Sequence, residues 1–251
     1  TGYSFPVTTQ STEAQTWFDR GILWTYGYNH EEAVTCFERA IDADPKCAMA
    51  HWGAGYASGP NYNMPWDLFD DAGRAAAARA GYAHARRALD LIDGATEWEA
   101  ALIQALPARH PQPDPLDPEA MKAWNANFAD AMLDVFAAHP ESHEVRTVFA
   151  ESLLNLTPWK MWDLRNGKPA ASARTVEAQT VLEEALERDP SAMYHPGLLH
   201  LYVHLMEMSP FPEKALKAGD ALRRLVPDAG HLIHMPTHID ILCGHYHNAV
   251  D

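Results

Sequence analysis

The sequence is poor in cysteine, in basic residues and in long apolar runs, and each shortage excludes a class of protein. Cys36, Cys47 and Cys243 are scattered and form no C-x-x-C pair, which argues against a disulfide framework, a zinc knuckle or a redox motif. Lysine and arginine total 19 against 34 acidic residues, so the chain lacks the cationic face that nucleic-acid binding needs. No stretch of about 18 apolar residues is present to cross a bilayer, and the N-terminus has no secretory signal pattern. We therefore expect no membrane or nucleic-acid partner and a cytoplasmic location.

The rest of the composition is typical of a globular protein. Of 251 residues, 47% are hydrophobic and 10% aromatic, which is enough for a large buried core. The formal net charge of −15 favours metal cations or basic partners. The sequence contains no G-x-S-x-G, Walker or G-x-G-x-x-G motif, so it does not predict a serine hydrolase, a phosphate-binding loop or a dinucleotide site.

An internal repeat is visible near the N-terminus. Residues 14–47 resemble the 34-residue tetratricopeptide (TPR) template, in which small residues let two helices pack closely and a proline ends the second helix. The residues that match the template are Trp17, Gly21, Trp24, Ala33, Phe37, Ala40 and Pro45. Asn29 followed by Glu32 has the form of an N-cap, which predicts that the second helix of the pair begins there.

The same period continues downstream with loop insertions, and Pro140, Pro190 and Pro227 begin later units. The predicted fold is all-α, a right-handed TPR-like α-α superhelix of antiparallel helix pairs. We expect residues 1–251 to form a single repeat domain. Because the last unit is incomplete, we expect the natural chain to continue beyond residue 251.

Helices are expected at about 74–92 and about 96–106 from their periodic apolar residues. Residues 107–118 hold five prolines and predict an exposed, non-helical connection. Trp66 and Trp159 lie in insertions, and we expect them to fill the groove of the superhelix rather than to wall a separate pocket.

Histidine is the most informative residue type, because nine of the fourteen follow residue 142 and six of those lie in two short segments. In the first segment, His200, His204 and Glu207 are spaced i, i+4 and i+7, which puts them on one stripe of a helix. Pro196 suits the first position of that helix and places His195 at its mouth.

The second segment carries His231, His234 and His238 at i, i+3 and i+7, again on one stripe of a helix. By the repeat period both segments are first helices of consecutive units. We expect them to lie side by side, about 8–10 Å apart, with their histidines facing the concave groove. Imidazoles from both helices would then reach a common point.

Imidazole nitrogens suit zinc, copper, iron and nickel, and a carboxylate can complete the ligand set or orient a ring. We predict a copper or zinc site, mononuclear or dinuclear, with copper slightly favoured because Met206, Met208 and Met235 are near in sequence. Glu207 is the predicted metal ligand or base, and Glu151 is a weaker candidate for a catalytic carboxylate. The predicted metal ligands are His195, His200, His204, His231, His234 and His238.

Two other interpretations of the histidines remain open. In one, they line a peptide-binding groove. In the other, they are core residues, although six buried rings would need six sets of hydrogen-bond partners. Outside the two segments, His51 is expected in the core. The histidines expected at the surface, in turns or on mixed faces, are His30, His84, His110, His139, His245 and His247.

Four longer words extend the resemblance over nearly the whole chain: GPNYN at 59–63, LTPW at 156–159, HPGxxHxxxH at 195–204 and GHLIHMPTH at 230–238. Together they resemble a group of TPR-like proteins from bacteria and fungi. The resemblance implies an α-α superhelix and carries no particular reaction with it.

The sequence therefore predicts a metal-binding TPR-like protein, a metalloenzyme that acts on a small molecule. With copper, the natural chemistry is O₂-dependent oxidation, as in an oxidoreductase, and with zinc it is activation of water for hydrolysis. The alternative is a non-enzymatic TPR scaffold that binds a peptide or protein partner in its concave groove.

Overall fold

The protein is almost entirely helical in the computed structural model, which describes residues 2–250. This range holds eleven α-helices, three short 3₁₀ turns and one small β-hairpin. The prediction of an all-α fold is therefore confirmed. Within the same range, every helix is too short or too polar to traverse a lipid bilayer.

The described chain divides into two compact units, an N-terminal unit of residues 4–140 and a C-terminal unit of residues 141–250 with residues 2 and 3. The N-terminal unit contains α1 (Thr12–Tyr26), α2 (His30–Ala43), α3 (Ala48–Ala57), α4 (Asp71–Asp90), α5 (Glu97–Arg109) and α6 (Pro118–Ala138). The C-terminal unit contains α7 (His143–Leu154), β1 (Trp162–Asp163), β2 (Lys168–Pro169), α8 (Thr175–Arg188), α9 (Pro196–Met206), α10 (Leu216–Leu225) and α11 (Gly230–Leu242). The single repeat domain over residues 1–251 stays a prediction.

Side-chain caps fix the first helix pair. The Ser11 side chain accepts a hydrogen bond from the Ala14 backbone N–H at the start of α1. Asn29 caps α2, where its Oδ1 lies 3.3 Å from the Glu32 backbone nitrogen, so the predicted N-cap is confirmed. Tyr28 has a φ of 56°, a left-handed conformation that tightens the turn between the two helices.

The Phe37 ring on α2 packs against two glycines. A Cβ atom added to Gly21 of α1 would lie 2.6 Å from this ring, and one added to Gly53 of α3 would lie 2.4 Å from it. Phe37 is fully buried, and its ring centroid is 5.4 Å from that of Phe18. The absence of two side chains therefore lets α1, α2 and α3 approach one aromatic ring, which is the role that the template gives to its small positions.

The end of α5 differs from the prediction. The helix was expected to stop at about residue 106, yet it continues to Arg109 with Pro107 inside its last turn. Arg109 is buried, and its guanidinium carbon lies 4.5 Å from the centre of the Tyr56 ring. Packing of this last turn outweighs the backbone hydrogen bond that Pro107 cannot donate, so the non-helical connection begins three residues later than predicted.

His110 was predicted at the surface, and this prediction is wrong. The ring is buried, and its Nε2 lies 3.0 Å from the Gly55 carbonyl oxygen, to which it donates. Its position follows from Gly81, where an added Cβ would lie 2.4 Å from the ring. Burial is the main reason that the pKa of His110 falls from 6.5 to about 3, with the Arg109 charge acting in the same direction. By contrast, His51 is buried in α3 as expected.

We expect the N-terminal unit to lose stability as the pH falls below about 6.5, partly through His110. The unfolded chain binds a proton at this ring near pH 6.5, whereas the folded chain resists protonation down to about pH 3. The stabilising contribution is therefore complete above pH 6.5, and at pH 5 about 2 kcal/mol of it is lost. Urea unfolding at pH 7 and pH 5 measures the loss, and it should be smaller by about this amount in His110→Gln. An equal loss in both proteins would contradict the assignment.

The insertion between α7 and α8 contacts the C-terminal end of α9. Trp162 on β1 is buried, and its Nε1 donates a hydrogen bond of 2.7 Å to the carbonyl oxygen of Leu205. This carbonyl belongs to the last turn of α9, where backbone acceptors have no partner within the helix.

Trp66 is buried in the N-terminal unit as expected, but Trp159 is 41% exposed and does not fill a groove within its own unit.

Candidate metal centre

The first histidine segment forms α9, and His195 is its N-cap. Pro196 occupies the first helical position, and His195 Nδ1 accepts a hydrogen bond of 3.1 Å from the Leu198 backbone N–H. Its Nε2 must then carry the proton, and it lies 3.2 Å from the Tyr3 hydroxyl. Burial lowers the pKa of His195 to about 3, which keeps the ring neutral. His195 is therefore the N-cap of α9, with its second nitrogen near Tyr3, and its predicted metal ligation stays a prediction.

The second histidine segment lies on α11, which packs one face into the core. The buried residues of this helix are Leu232, Met235, Pro236, Ile239 and Asp240. Pro236 lies inside the helix, and α10 accommodates it because a Cβ added to Gly219 would be only 3.2 Å from the proline ring. Among the histidines of α11, His231 and His238 are half-buried and His234 is exposed.

Three histidines from the two helices converge, as predicted. His200 and His204 of α9 and His231 of α11 each offer one ring nitrogen, and these nitrogens lie within 4.8 Å of one another. His204 Nε2 and His231 Nε2 are 3.4 Å apart. Two nitrogens that each lie about 2.0–2.1 Å from a tetrahedral zinc ion are about 3.3 Å apart, so this pair already has a suitable separation. We call these three residues the trihistidine cluster.

Glu207, the residue that ends α9, connects the trihistidine cluster to the rest of α11. Its Oε1 lies 2.9 Å from His204 Nδ1, and its Oε2 lies 2.5 Å from His238 Nδ1. Burial alone would raise the pKa of this carboxyl, but the hydrogen bonds from the two rings lower it to about 2. Glu207 is therefore an anion that accepts an N–H from each ring. This places the proton of each ring on Nδ1 and leaves each Nε2 unprotonated.

Two rings of the trihistidine cluster are neutral, and neutral rings favour binding of a cation. Burial lowers the pKa of His204, although the hydrogen bond to Glu207 opposes this effect. The pKa of His231 falls to about 4, first through burial and then through the neighbouring charges of His204, His234 and His238. Both imidazoles are thus neutral at pH 7, which is the form that binds a metal.

His234 and His238 form a separate pair one turn apart on α11. Their Nε2 atoms are 2.9 Å apart, and the ring centroids are separated by 4.7 Å with the planes nearly perpendicular. The predicted ligands of the two helices therefore fall into a trihistidine cluster and this histidine pair, joined through Glu207.

Glu151, the second predicted carboxylate, is buried within α7. Its backbone carbonyl accepts a hydrogen bond from the Asn155 N–H at the end of the helix. The catalytic role of its carboxylate stays a prediction. Both oxygens of Glu207 face histidine rings, and its predicted role as metal ligand or base stays a prediction.

Sequence reasoning missed two residues that hold α9 in place. Tyr3 supports the N-cap His195 from 192 residues away, and the local sequence carries no signal for such a contact. Trp162 supports the other end of the helix through the Leu205 carbonyl. The tryptophan-rich insertion was visible in the sequence, but the point at which it contacts the helix was not.

Comparisons with known proteins leave the geometry of this site as the basis for any functional conclusion. No protein-family model matches the chain, and no curated protein shows significant similarity to it.

Proposed function

We propose that the C-terminal unit binds one transition-metal ion, copper or zinc, through His200, His204 and His231. The convergence of three imidazole nitrogens from two helices carries this proposal. Neutral imidazole is a preferred ligand of both metals, and three ring nitrogens within 4.8 Å of one another can reach one ion. Glu207 holds His204 in the orientation in which Nε2 is the ligand atom.

We further propose that this centre belongs to a metalloenzyme that acts on a small molecule. Three protein ligands leave a fourth position for water or substrate, whereas structural zinc sites usually have four protein ligands. The half-buried His231 lies at the solvent side of two buried rings, which supports access from that side. When bound, copper would supply oxidation with O₂, and zinc would supply activation of water.

Glu207→Gln should weaken metal binding about 10- to 100-fold, the usual cost of losing a partner that orients a ligand. The amide has one acceptor oxygen, so it accepts an N–H from His204 or from His238 but not from both. A competition titration with a chromophoric chelator measures the affinity. The control is Glu213→Gln, an exposed carboxylate between α9 and α10. Equal affinities in Glu207→Gln and the unchanged protein would contradict the positioning role.

Elemental analysis of protein purified without an affinity tag tests the proposed function directly. We expect at least one equivalent of copper or zinc, and the loss of one equivalent in the double variant His200→Ala, His231→Ala. Circular dichroism of both proteins checks that the helices persist. A metal-free protein that takes up neither ion on addition would overturn the proposal and support the non-enzymatic, peptide-binding alternative.

The architecture around the site is consistent with TPR-like repeats, and we propose this fold for the helix pairs. Consecutive helices pack against each other in both units, as α1 does with α2 and α7 does with α8. The contact of Phe37 with Gly21 pairs the bulky template position with the small one. An experimental structure with a regular right-handed rotation between successive pairs would bear this out.

A further inference from the structure

We propose that His234 and His238 form a second metal position, so that the C-terminal unit holds a dinuclear centre joined by Glu207. The geometry of His234 and His238 supports the second position independently of the trihistidine cluster. The link through Glu207 rests on the proposed function of that cluster. The second position is more exposed than the first, since His234 is on the surface and His238 is half-buried.

The geometry of the pair suits a chelated ion. The two Nε2 atoms are 2.9 Å apart. Two nitrogens that each lie about 2.0–2.1 Å from one ion at a right angle are about 2.9 Å apart, which is the arrangement of neighbouring ligands in square-planar copper. Both residues lie on α11 at i and i+4, so the helix backbone holds the rings at this separation before any ion binds.

Glu207 prepares His238 for ligation in the same way as it prepares His204. Its Oε2 accepts the Nδ1–H of His238, which leaves the Nε2 lone pair directed at His234. Without a metal, His234 Nε2 must donate its proton to that lone pair. The exposed His234 ring can instead carry the proton on Nδ1, where water accepts it, and both Nε2 lone pairs are then available to one cation.

One carboxylate therefore orients a ligand in each position, and its negative charge offsets part of the repulsion between two cations. Each ion withdraws electron density from its imidazole, which makes the ring N–H more acidic. The hydrogen bond that this N–H donates to Glu207 becomes stronger. Because Glu207 serves both rings, the occupancy of one position alters the affinity of the other, and this coupling is reciprocal. The histidine pair has two protein ligands against three, so we expect it to fill second.

Titration of metal-stripped protein with Cu²⁺, followed by calorimetry and elemental analysis, tests this inference. We expect two equivalents in the unchanged protein and one in the double variant His234→Gln, His238→Gln. The double variant His200→Gln, His231→Gln should also retain one equivalent. His139→Gln, at the end of α6 in the N-terminal unit, is the control and should retain two.

The outcomes separate this inference from the proposed function. Saturation at one equivalent that survives loss of the histidine pair would overturn the second position and leave the trihistidine centre in place. Saturation at one equivalent that only loss of the pair abolishes would support the pair and overturn the trihistidine centre. The single variant His234→Ala should fold normally, because this exposed side chain contributes little to the core. Binding of two equivalents by this variant would also overturn the second position.

Discussion

Replacing His204 with alanine should lower the metal affinity of the trihistidine cluster at least about 100-fold. This is the upper end of the cost of disturbing a residue that only orients a ligand, and His204 is itself a proposed ligand. It is buried, its Nε2 lies 3.4 Å from that of His231, and its Nδ1 is held by Glu207. His204 links the Glu207 carboxylate to the His231 ring, so we expect a large effect here.

A chelator competition assay at pH 7 measures the affinity of the His204→Ala variant. His139→Ala serves as the matched control, because it removes a histidine from the N-terminal unit. Circular dichroism should show the same helix content in both variants, since a folded protein is needed for the comparison. An affinity within threefold of that of the unchanged protein would rule out His204 as a ligand.

Replacing Phe37 with alanine should lower the free energy of unfolding of the N-terminal unit by about 3–5 kcal/mol, the usual cost of removing a buried phenylalanine ring. The ring is fully buried, and neither Gly21 nor Gly53 has a side chain to fill the cavity that would remain. Urea unfolding measures the change. Leu68→Ala, a residue 52% exposed in the same unit, should change the free energy by less than about 0.5 kcal/mol.

A second variant separates the loss of the ring from a general weakening of the unit. Gly53→Ala places a methyl group about where the Phe37 ring lies and should cost about 1–3 kcal/mol through overpacking. In a Phe37→Leu background the same methyl group has more room, so its cost should fall. Additive costs in the double variant would show that the two residues do not contact each other in solution.

The local features of the fold were the most predictable from sequence. The all-α class, the N-cap Asn29 and the burial of His51 follow from helical periodicity and capping chemistry, which act over a few residues. The predictions for Pro107 and His110 were wrong for a common reason. Each was judged from its neighbours in sequence, whereas burial of Arg109 and the space beside Gly81 decided where the helix ends and where the ring lies.

The candidate site shows the same division. The spacing of the histidines put one stripe on each of two helices, and those stripes do converge. His195 was predicted to lie at the mouth of α9 because Pro196 suits the first helical position, and it is the N-cap of that helix. Its role as a metal ligand stays a prediction. The dual hydrogen bond of Glu207 had no counterpart in sequence, because His238 lies 31 residues away.

The sequence by itself determined that the chain is helical, which face of each histidine-bearing helix carries imidazoles and which types of ligand the chain offers. Those properties depend on bonds and spacings within one or two helical turns. The tertiary structure alone decided that three rings form one cluster, that two form a pair and that one carboxylate joins them. These relations depend on how α9 packs against α11, and that packing is set by the volumes of buried side chains from segments far apart in the chain.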